Sequence, residues 1–358
     1  MKKLIAMLLC LVILTGCGIS APPETTVPTT AATEAPISTE ETVPPTEQTI
    51  PAATEEHSPD GILFLSVSRL DFSLVGESED IYMGTLPREE VTFASDDESV
   101  ATFENGVLTA ISVGETTVTA SYGDQQIAVS VKCLAETEEE LLALGEAILR
   151  APKRYPPIMG DEPMEYFTDT AIVGDSISYI LFQWETMYNY LGEPLFLVRG
   201  GTGLNGLVLN YMPIFYKGQE TRIEEILGDV QPKKVFIMLG QNDLRYREIE
   251  DCMDSWETLV SRIREACPGI EIHIQSCIPE WVETESSNFR NEKIQEYNVI
   301  LREFAQNNDC FFVDIHYYAV DHVGRMPNDY ELDASIHMNE AGCYAWMQAL
   351  KAYAFLQQ

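Results

Sequence analysis

Ile172-Val173-Gly174-Asp175-Ser176-Ile177-Ser178 decides how the C-terminal half of this chain folds. The residues before the glycine are small and β-branched, whereas apolar side chains recur at helical spacing from Ile177 to Tyr190. This pattern predicts a short strand, a turn and then a helix, with Ser176 at the junction. The Ser176 hydroxyl would lie beside free backbone N–H groups, which favour developing negative charge. An Asp-Ser pair at this place can also serve only as a helix cap, so other segments must decide between the two interpretations.

Two later segments contain the groups that a nucleophilic serine requires. An apolar run of strand length, Val235 to Leu239, precedes Gly240-Gln241-Asn242-Asp243, in which Asn242 can direct its amide at an oxyanion. Near the C-terminus, Asp333 and His337 precede the last amphipathic stretch and offer a base with an orienting carboxylate. Together these segments favour a nucleophile at Ser176 over a helix cap alone.

The same motifs resemble those of the SGNH (GDSL) hydrolase family, in the family's order, over residues 158–358. They read Gly174-Asp175-Ser176, Gly200-Gly201-Thr202-Gly203, Gly240-Gln241-Asn242-Asp243 and Asp333 with His337. The resemblance implies that Ser176 is the nucleophile, His337 the base and Asp333 the orienting acid. It also implies an oxyanion hole formed by the backbone N–H of Ser176, the backbone N–H of Gly203 and the side-chain amide of Asn242. No metal and no cofactor is expected.

The spacing of the last motif departs from the family pattern. The family usually has its Asp three residues before the His, but that position here is Ala334. Three alternatives remain open. A helical or tighter turn over 333–337 could bring Asp333 to His337, Asp329 could orient the imidazole, or Ser176 and His337 could act as a dyad. We favour Asp333, since a turn of helix places residues four apart on one face.

The elements of the C-terminal half alternate between strand and helix. Strands are predicted at 170–174, 195–198, 234–239, 270–275 and 310–314, and helices at 177–190, 220–228, 251–266, 291–307 and 339–355. Such alternation predicts an α/β domain with a parallel sheet and helices on both faces, which the family resemblance makes SGNH-type (flavodoxin-like). The four motifs all follow predicted strands or precede helices, at the edge where α/β sheets bind ligands.

The first sixty residues predict export and tethering. A basic start and a short apolar run over 1–16 are typical of a signal peptide, and Leu14-Thr15-Gly16-Cys17 resembles a bacterial lipobox. The resemblance implies that Cys17 carries a lipid anchor, on the extracellular face of the bacterial cytoplasmic membrane. Residues 17–60 are rich in Thr, Pro and Glu and predict a disordered linker.

Residues 61–134 contain short β-rich runs separated by turn residues, which predict a small all-β sandwich. The runs include Ile62–Leu65 and the strands around the hairpin signal Asn105-Gly106. The segment resembles a bacterial immunoglobulin-like module of group 2 and would be a spacer or a weak cell-wall contact. Residues 135–157 are predicted to be a helical linker between this module and the hydrolase domain.

Composition excludes some partners. A formal net charge of -35 argues against nucleic acid, whose backbone is itself negative. No spaced cluster of His, Cys and carboxylates suggests a metal site. Cys252 and Cys267 bracket one predicted helix and would be too far apart to bridge, and no disulfide pairing is predicted.

The signal, linker and module favour a secreted, tethered esterase that removes acetyl or short acyl groups from cell-surface or environmental glycans. Trp281 and Phe289, in an insertion after a predicted strand, could stack on a sugar ring or simply cap the core. Two other functions remain open. The chain could be a non-catalytic glycan- or wall-binding surface protein, or an O-acyltransferase that uses the same residues.

Overall fold

The computed structural model describes residues 61–143, 152–281, 291–321 and 324–358. The predicted signal peptide, Cys17 and the linker lie outside the described residues, as does Phe289. Within the described ranges, no helix has the length and apolarity needed to cross a bilayer.

The N-terminal part of the described chain is a β region with two sheets. Its strands are β1 (Arg69–Leu74), β2 (Ser78–Asp80), β3 (Thr92–Ser95), β4 (Ala101–Glu104), β5 (Val107–Ala110), β6 (Gly114–Tyr122), β7 (Gln125–Ala135) and β8 (Lys153–Tyr155). One sheet has the order β3-β6-β7-β1-β8 and the other β2-β5-β4. All pairs are antiparallel except β1 with β7. Asn105 and Gly106 both have positive φ between β4 and β5, as a tight hairpin requires.

The apolar run Ile62–Leu65 was predicted to be a strand, and this prediction is wrong. The run has no regular secondary structure; Ile62 is exposed, and the side chains of Leu63, Phe64 and Leu65 are buried for another reason. Leu63 and Leu65 pack in the core of the β region, whereas Phe64 packs against Leu356 near the C-terminus of the chain. Contact with apolar side chains on two sides gives the run its composition, without a neighbouring strand.

The expected helical linker 135–157 contains a helix, α1 (Glu138–Ala143), and then a strand that was not predicted. Strand β8 pairs antiparallel with β1 and forms the edge of the larger sheet. Pro152 and Pro156 flank it, which an edge strand tolerates because its outer side needs no backbone donors. The end of this linker therefore belongs to the β region.

The C-terminal half is an α/β domain, as predicted. Its strands are β9 (Thr170–Gly174), β10 (Leu195–Val198), β11 (Ile214–Tyr216), β12 (Gln219–Thr221), β13 (Lys234–Met238), β14 (Glu271–Gln275) and β15 (Phe311–Val313). Its helices are α2 (Ser176–Gln183), α3 (Glu185–Tyr190), α4 (Leu204–Val208), α5 (Ile223–Val230), α6 (Ile249–Ala266), α7 (Asn291–Asn307), α8 (His316–Ala319) and α9 (Glu340–Leu356). Short 3-10 turns lie at Arg88–Glu90 and Glu165–Phe167.

Five of these strands form one parallel sheet of order β10-β9-β13-β14-β15, and β11 and β12 form a separate hairpin. Alternate residues of β13 belong to two buried clusters. Val235 shares one with Trp256 of α6, and Phe236 shares the other with Trp346 of α9. Helices therefore cover both faces, which confirms the predicted fold class.

The chain leaves β9 for β10 on one side and then crosses to β13 on the other. In α/β sheets this change of direction opens a crevice at the carboxyl ends of the strands. Ser176 follows β9 and Asn242 follows β13, so the sheet places both at that crevice.

Two helices of the α/β domain differ from their predicted ranges. The helix predicted at 177–190 is broken at Trp184 into α2 and α3, and the one predicted at 220–228 begins only at Ile223 because β12 precedes it. Six cysteines of the described chain are buried with free thiols: Cys133, Cys252, Cys267, Cys277, Cys310 and Cys343.

Candidate active site

Ser176 is the first residue of α2, directly after the turn that ends β9. Asp175 caps the helix, since its Oδ1 accepts a hydrogen bond of 2.9 Å from the N–H of Ile177. Gly174 is required because a Cβ there would overlap the side chain of Ser178. The Asp-Ser pair therefore provides a cap through its first residue and presents a hydroxyl through its second.

The Ser176 hydroxyl, the His337 imidazole and the Asp333 carboxylate are hydrogen-bonded in series. Ser176 Oγ lies 2.9 Å from His337 Nε2, and His337 Nδ1 lies 2.5 Å from Asp333 Oδ2. A carboxylate can only accept, so Nδ1 carries the proton and Nε2 is free to accept from the serine. This is the arrangement that activates a hydroxyl as a nucleophile.

The spacing of Asp333 and His337 is accommodated by a hairpin turn. Glu331 pairs with Met338, and the N–H of Leu332 donates to the carbonyl of His337 at 3.0 Å. Between these pairs, Ala334 adopts a left-handed conformation with φ of 57°. The left-handed turn at Ala334 accommodates the one additional residue between the acid and the base. Asp333 therefore contacts the imidazole of His337 from four residues away without a helix.

The other carboxylate considered from the sequence, Asp329, is engaged elsewhere. Its Oδ1 lies 2.7 Å from Nζ of Lys153. The structure thus brings Asp333, and not Asp329, to His337.

Asn242 links two segments of the site. Its Nδ2 donates to Asp175 Oδ2 at 2.9 Å and to the carbonyl of Thr202 at 2.8 Å. Both amide hydrogens are therefore bound to the protein itself. A role in the oxyanion hole requires that one of these bonds be shared or released when a substrate binds.

Asp243 is a site residue to which the sequence reasoning gave no role. Its carboxylate is buried and accepts from the N–H groups of Leu204 at 2.8 Å and Asn205 at 3.0 Å. A Cβ at Gly203 would overlap that carboxylate, so only glycine fits between them. The single acidic residue of the Gly-Gln-Asn-Asp block was the available signal, and its carboxylate holds the backbone that follows Gly203.

The Asp175 carboxyl lies beside the candidate nucleophile and is fully buried. Burial raises its pKa to about 7, against the hydrogen bond from Ile177 and the nearby His337, which both lower it. Asp243 raises it further. A carboxyl that titrates near neutral pH therefore lies within this site.

We expect Asp175 to make stability depend on pH. The unfolded chain releases this proton near pH 4, whereas the folded protein keeps it to about pH 7. Folding therefore takes up a proton in this window, so this contribution to stability is full below pH 4 and is lost as pH rises to 7. The melting temperature of Asp175→Asn minus that of the parent should therefore increase from pH 5 to 7 and stay constant above pH 7. A difference that does not change with pH would contradict the raised pKa.

Two other histidines are structural. His273 stacks between the rings of Phe236 and Phe311, its Nδ1 lies 2.9 Å from the hydroxyl of Tyr353, and burial lowers its pKa. His316 is buried, with Nδ1 3.1 Å from the carbonyl of Cys277. In the described ranges, no group of three or more His, Cys, Asp or Glu could hold a metal ion.

Trp281 was predicted either to line the site or to cap the core. Its indole donates to Asn328 Oδ1 at 2.7 Å, and its backbone N–H donates to the carbonyl of Ser335 at 2.8 Å. Trp281 also packs against the buried cluster that contains Trp346. It therefore braces the turn that carries Asp333 and His337.

A hydroxyl, an imidazole and a carboxylate in series at the carboxyl edge of a parallel sheet define a serine hydrolase type of site. Residues 172–345 match the GDSL-like Lipase/Acylhydrolase family, and all of the site residues above lie in that range. This segment is a GDSL-like lipase/acylhydrolase domain of the SGNH type, and the enzyme class is esterase or acylhydrolase.

Solved structures with similarity to this chain include a GDSL-like lipase from Bacteroides thetaiotaomicron, at 17% identity and a TM-score of 0.42, over 53% of this chain and 88% of that one. A carbohydrate esterase of family 3 from Talaromyces cellulolyticus is 16% identical, with a TM-score of 0.39, over 51% and 93%. An acetylxylan esterase from Geobacillus stearothermophilus is 16% identical, with a TM-score of 0.37, over 52% and 93%. No curated protein matches the sequence at a significant level.

Proposed function

We propose that this protein is a membrane-tethered extracellular serine esterase that removes acetyl or other short acyl groups from glycans. The observation that carries the catalytic part is the series of hydrogen bonds from Ser176 through His337 to Asp333, at 2.9 and 2.5 Å.

In this mechanism His337 accepts the Ser176 proton through Nε2 while Oγ attacks the acyl carbon. The proton then passes to the oxygen of the leaving alcohol, and the acyl group remains as an ester on Ser176. Water, deprotonated by the same imidazole, releases the acid and restores the hydroxyl. Asp333 holds the imidazole in the required tautomer and stabilises it when it is protonated.

The backbone N–H groups of Ser176 and Gly203 would donate to the oxyanion. Each such donor is typically worth about 3 kcal/mol in the transition state. Asp243 fixes the backbone that follows Gly203, which supports this role. Asn242 as a third donor stays a prediction, since Asp175 and Thr202 already accept its two hydrogens.

Exposed tyrosines support a carbohydrate as the alcohol part of the substrate. Tyr246, 87% exposed, and Tyr211, 59% exposed, lie on the segments after Asn242 and Gly203. The N–H of Tyr246 donates to the carbonyl of Asp243 at 2.9 Å, and the hydroxyl of Tyr211 accepts from the side chain of Asn205 at 3.4 Å. Exposed aromatic faces next to a site offer flat apolar surfaces for sugar rings, and the net charge of -35 disfavours anionic polymers.

The test compares a small ester with an acetylated polysaccharide. We expect the protein to release acetate from p-nitrophenyl acetate and from acetylated xylan. Tyr246→Ala and Tyr211→Ala should raise KM for the polysaccharide. KM for the small ester should not change, and this substrate serves as the internal control. Equal loss on both substrates would contradict the carbohydrate assignment, and acyl transfer to an added glycan in place of acid release would identify an acyltransferase.

The tethering part of the proposal depends on the sequence of residues 1–60. Cys17 would carry the lipid, the linker would extend the folded part outward, and the β region would be an immunoglobulin-like module that also contacts the cell wall. Cys17→Ala should yield an unlipidated protein of altered mass and processing. An unchanged mass would remove the anchor from the proposal.

A further inference from the structure

The N-terminal β region and the hydrolase domain share a well-packed contact through β8. Arg154 is buried and makes two hydrogen bonds to Glu79 of β2, at 2.7 and 3.0 Å. Its guanidinium lies 4.4 Å from the ring centre of Tyr317 in α8, whose hydroxyl donates to the same Glu79 at 3.1 Å. The hydroxyl of Tyr318 also donates to the carbonyl of Ser66 at 2.9 Å. Strand β8 is therefore held from both sides and offers a fixed support.

Lys153, the first residue of β8, reaches from this support to the loop that carries the candidate acid and base. The side chain is largely buried, with Nζ 2.7 Å from Asp329 Oδ1. The ammonium also lies 4.5 Å from the ring centre of Tyr155 and 5.0 Å from that of Tyr330. A buried ammonium requires a carboxylate partner, so Lys153 holds Asp329 in place.

Asp329 lies at the base of the hairpin described above. The Asn339 amide donates to the carbonyls of Asp329 at 2.8 Å and Glu331 at 3.1 Å, and the N–H of Asn339 donates to the carbonyl of Tyr330. The two arms of the hairpin are thus joined at this base, and Asp333 and His337 lie at its far end. A shift at Asp329 moves the pair relative to Ser176, which belongs to a different element.

We propose that Lys153 is a positioning residue of the active site. Through Asp329 it fixes the position of the hairpin, and so the distance from His337 to Ser176. Strand β8 of the β region therefore contributes to the geometry of the active site. The inference rests on the proposed catalytic roles of Ser176, Asp333 and His337. A displacement of about 1 Å in such a pair can lower turnover by about a hundredfold, so a small movement of the hairpin is enough.

The test replaces the ammonium while keeping its stem. Lys153→Met should lower kcat by about ten- to a hundredfold with little change in KM, and Lys153→Arg should restore most of it. Lys233→Met is the matched control. Lys233 Nζ forms an exposed ion pair with Asp169 Oδ2 at a distance of 3.3 Å, and neither residue belongs to the hairpin, so this variant should leave kcat unchanged. If Lys153→Met does not fold, Asp329→Asn removes the same pair from its exposed side and should show the same loss.

A general loss of stability is separated from positioning by a double variant. Lys153→Met added to His337→Ala should cause no further loss of kcat, because the imidazole that Lys153 positions is already absent, whereas a general defect would lower both backgrounds equally. The rate at which a fluorophosphonate labels Ser176 is measured in the parent and in Lys153→Met. Parent-like kcat and labelling in Lys153→Met, or additive losses in the double variant, would overturn the inference. A parent that labels at Ser176 but releases no acetate from polysaccharide would overturn only the proposed substrate, and the labelling rates would still decide the role of Lys153.

Discussion

Ser176→Ala is expected to lower ester turnover by about 10⁴- to 10⁶-fold, because the variant has no hydroxyl to form the acyl intermediate. The loss should lie in kcat, with the folded structure unchanged, since Ser176 is the half-buried first residue of α2 and fills no core position. The measurement is the steady-state rate on p-nitrophenyl acetate, together with the melting temperature of each variant.

Ser178→Ala is the matched control for this prediction. It makes the same chemical change, loss of a serine hydroxyl, two residues further along the same helix. Ser178 is buried, and its Oγ has no hydrogen-bond partner among the described residues. Loss of an unpaired buried hydroxyl should be neutral or mildly stabilising, and turnover should stay at the parent level. A Ser176→Ala protein as active as the parent would rule out the serine mechanism.

The parts of the fold that could be predicted are those with strong local patterns. The parallel strands are apolar runs bounded by turns, and the long helices have clear apolar periodicity, so their ends were predicted to within a few residues. Strand β8 could not be predicted, because three residues with two basic side chains form a strand only where β1 offers a free edge. The run Ile62–Leu65 failed for the opposite reason. Its local pattern was strong, but its leucines and phenylalanine pack in two clusters, and the N–H of Leu63 donates to Gln125 Oε1 at 2.9 Å in place of a strand.

The candidate site shows the same division. Motif order placed Ser176, Asn242 and His337 at one edge of the sheet, because the carboxyl ends of parallel strands meet there. The partners of Asn242 and the function of Asp243 were not accessible, since they depend on how closely the segment after β10 approaches the segment after β13. The left-handed conformation of Ala334 has no sequence signal either, because alanine seldom adopts it.

Asp333→Asn and Asp333→Ala are expected to lower kcat by about 10²- to 10⁴-fold, less than Ser176→Ala, because the orienting acid is the least indispensable member of such a series. Asp333→Asn keeps the shape of the side chain but can donate to Nδ1, which would leave His337 in the wrong tautomer to accept the Ser176 proton. Asp254→Asn, at an exposed position on α6, is the control and should match the parent.

Asp329→Asn separates the orienting role from the positioning role. Because Asp329 acts only through the hairpin, its loss should cost about ten- to a hundredfold, less than the loss of Asp333, whose Oδ2 contacts the imidazole at 2.5 Å. An active Asp333→Asn with an Asp329→Asn as impaired as Ser176→Ala would instead assign the imidazole to Asp329. Parent-level turnover in both would leave Ser176 and His337 as a dyad. The hairpin geometry favours neither result, since the left-handed Ala334 brings the Asp333 carboxylate to Nδ1 while Lys153 keeps that of Asp329 away.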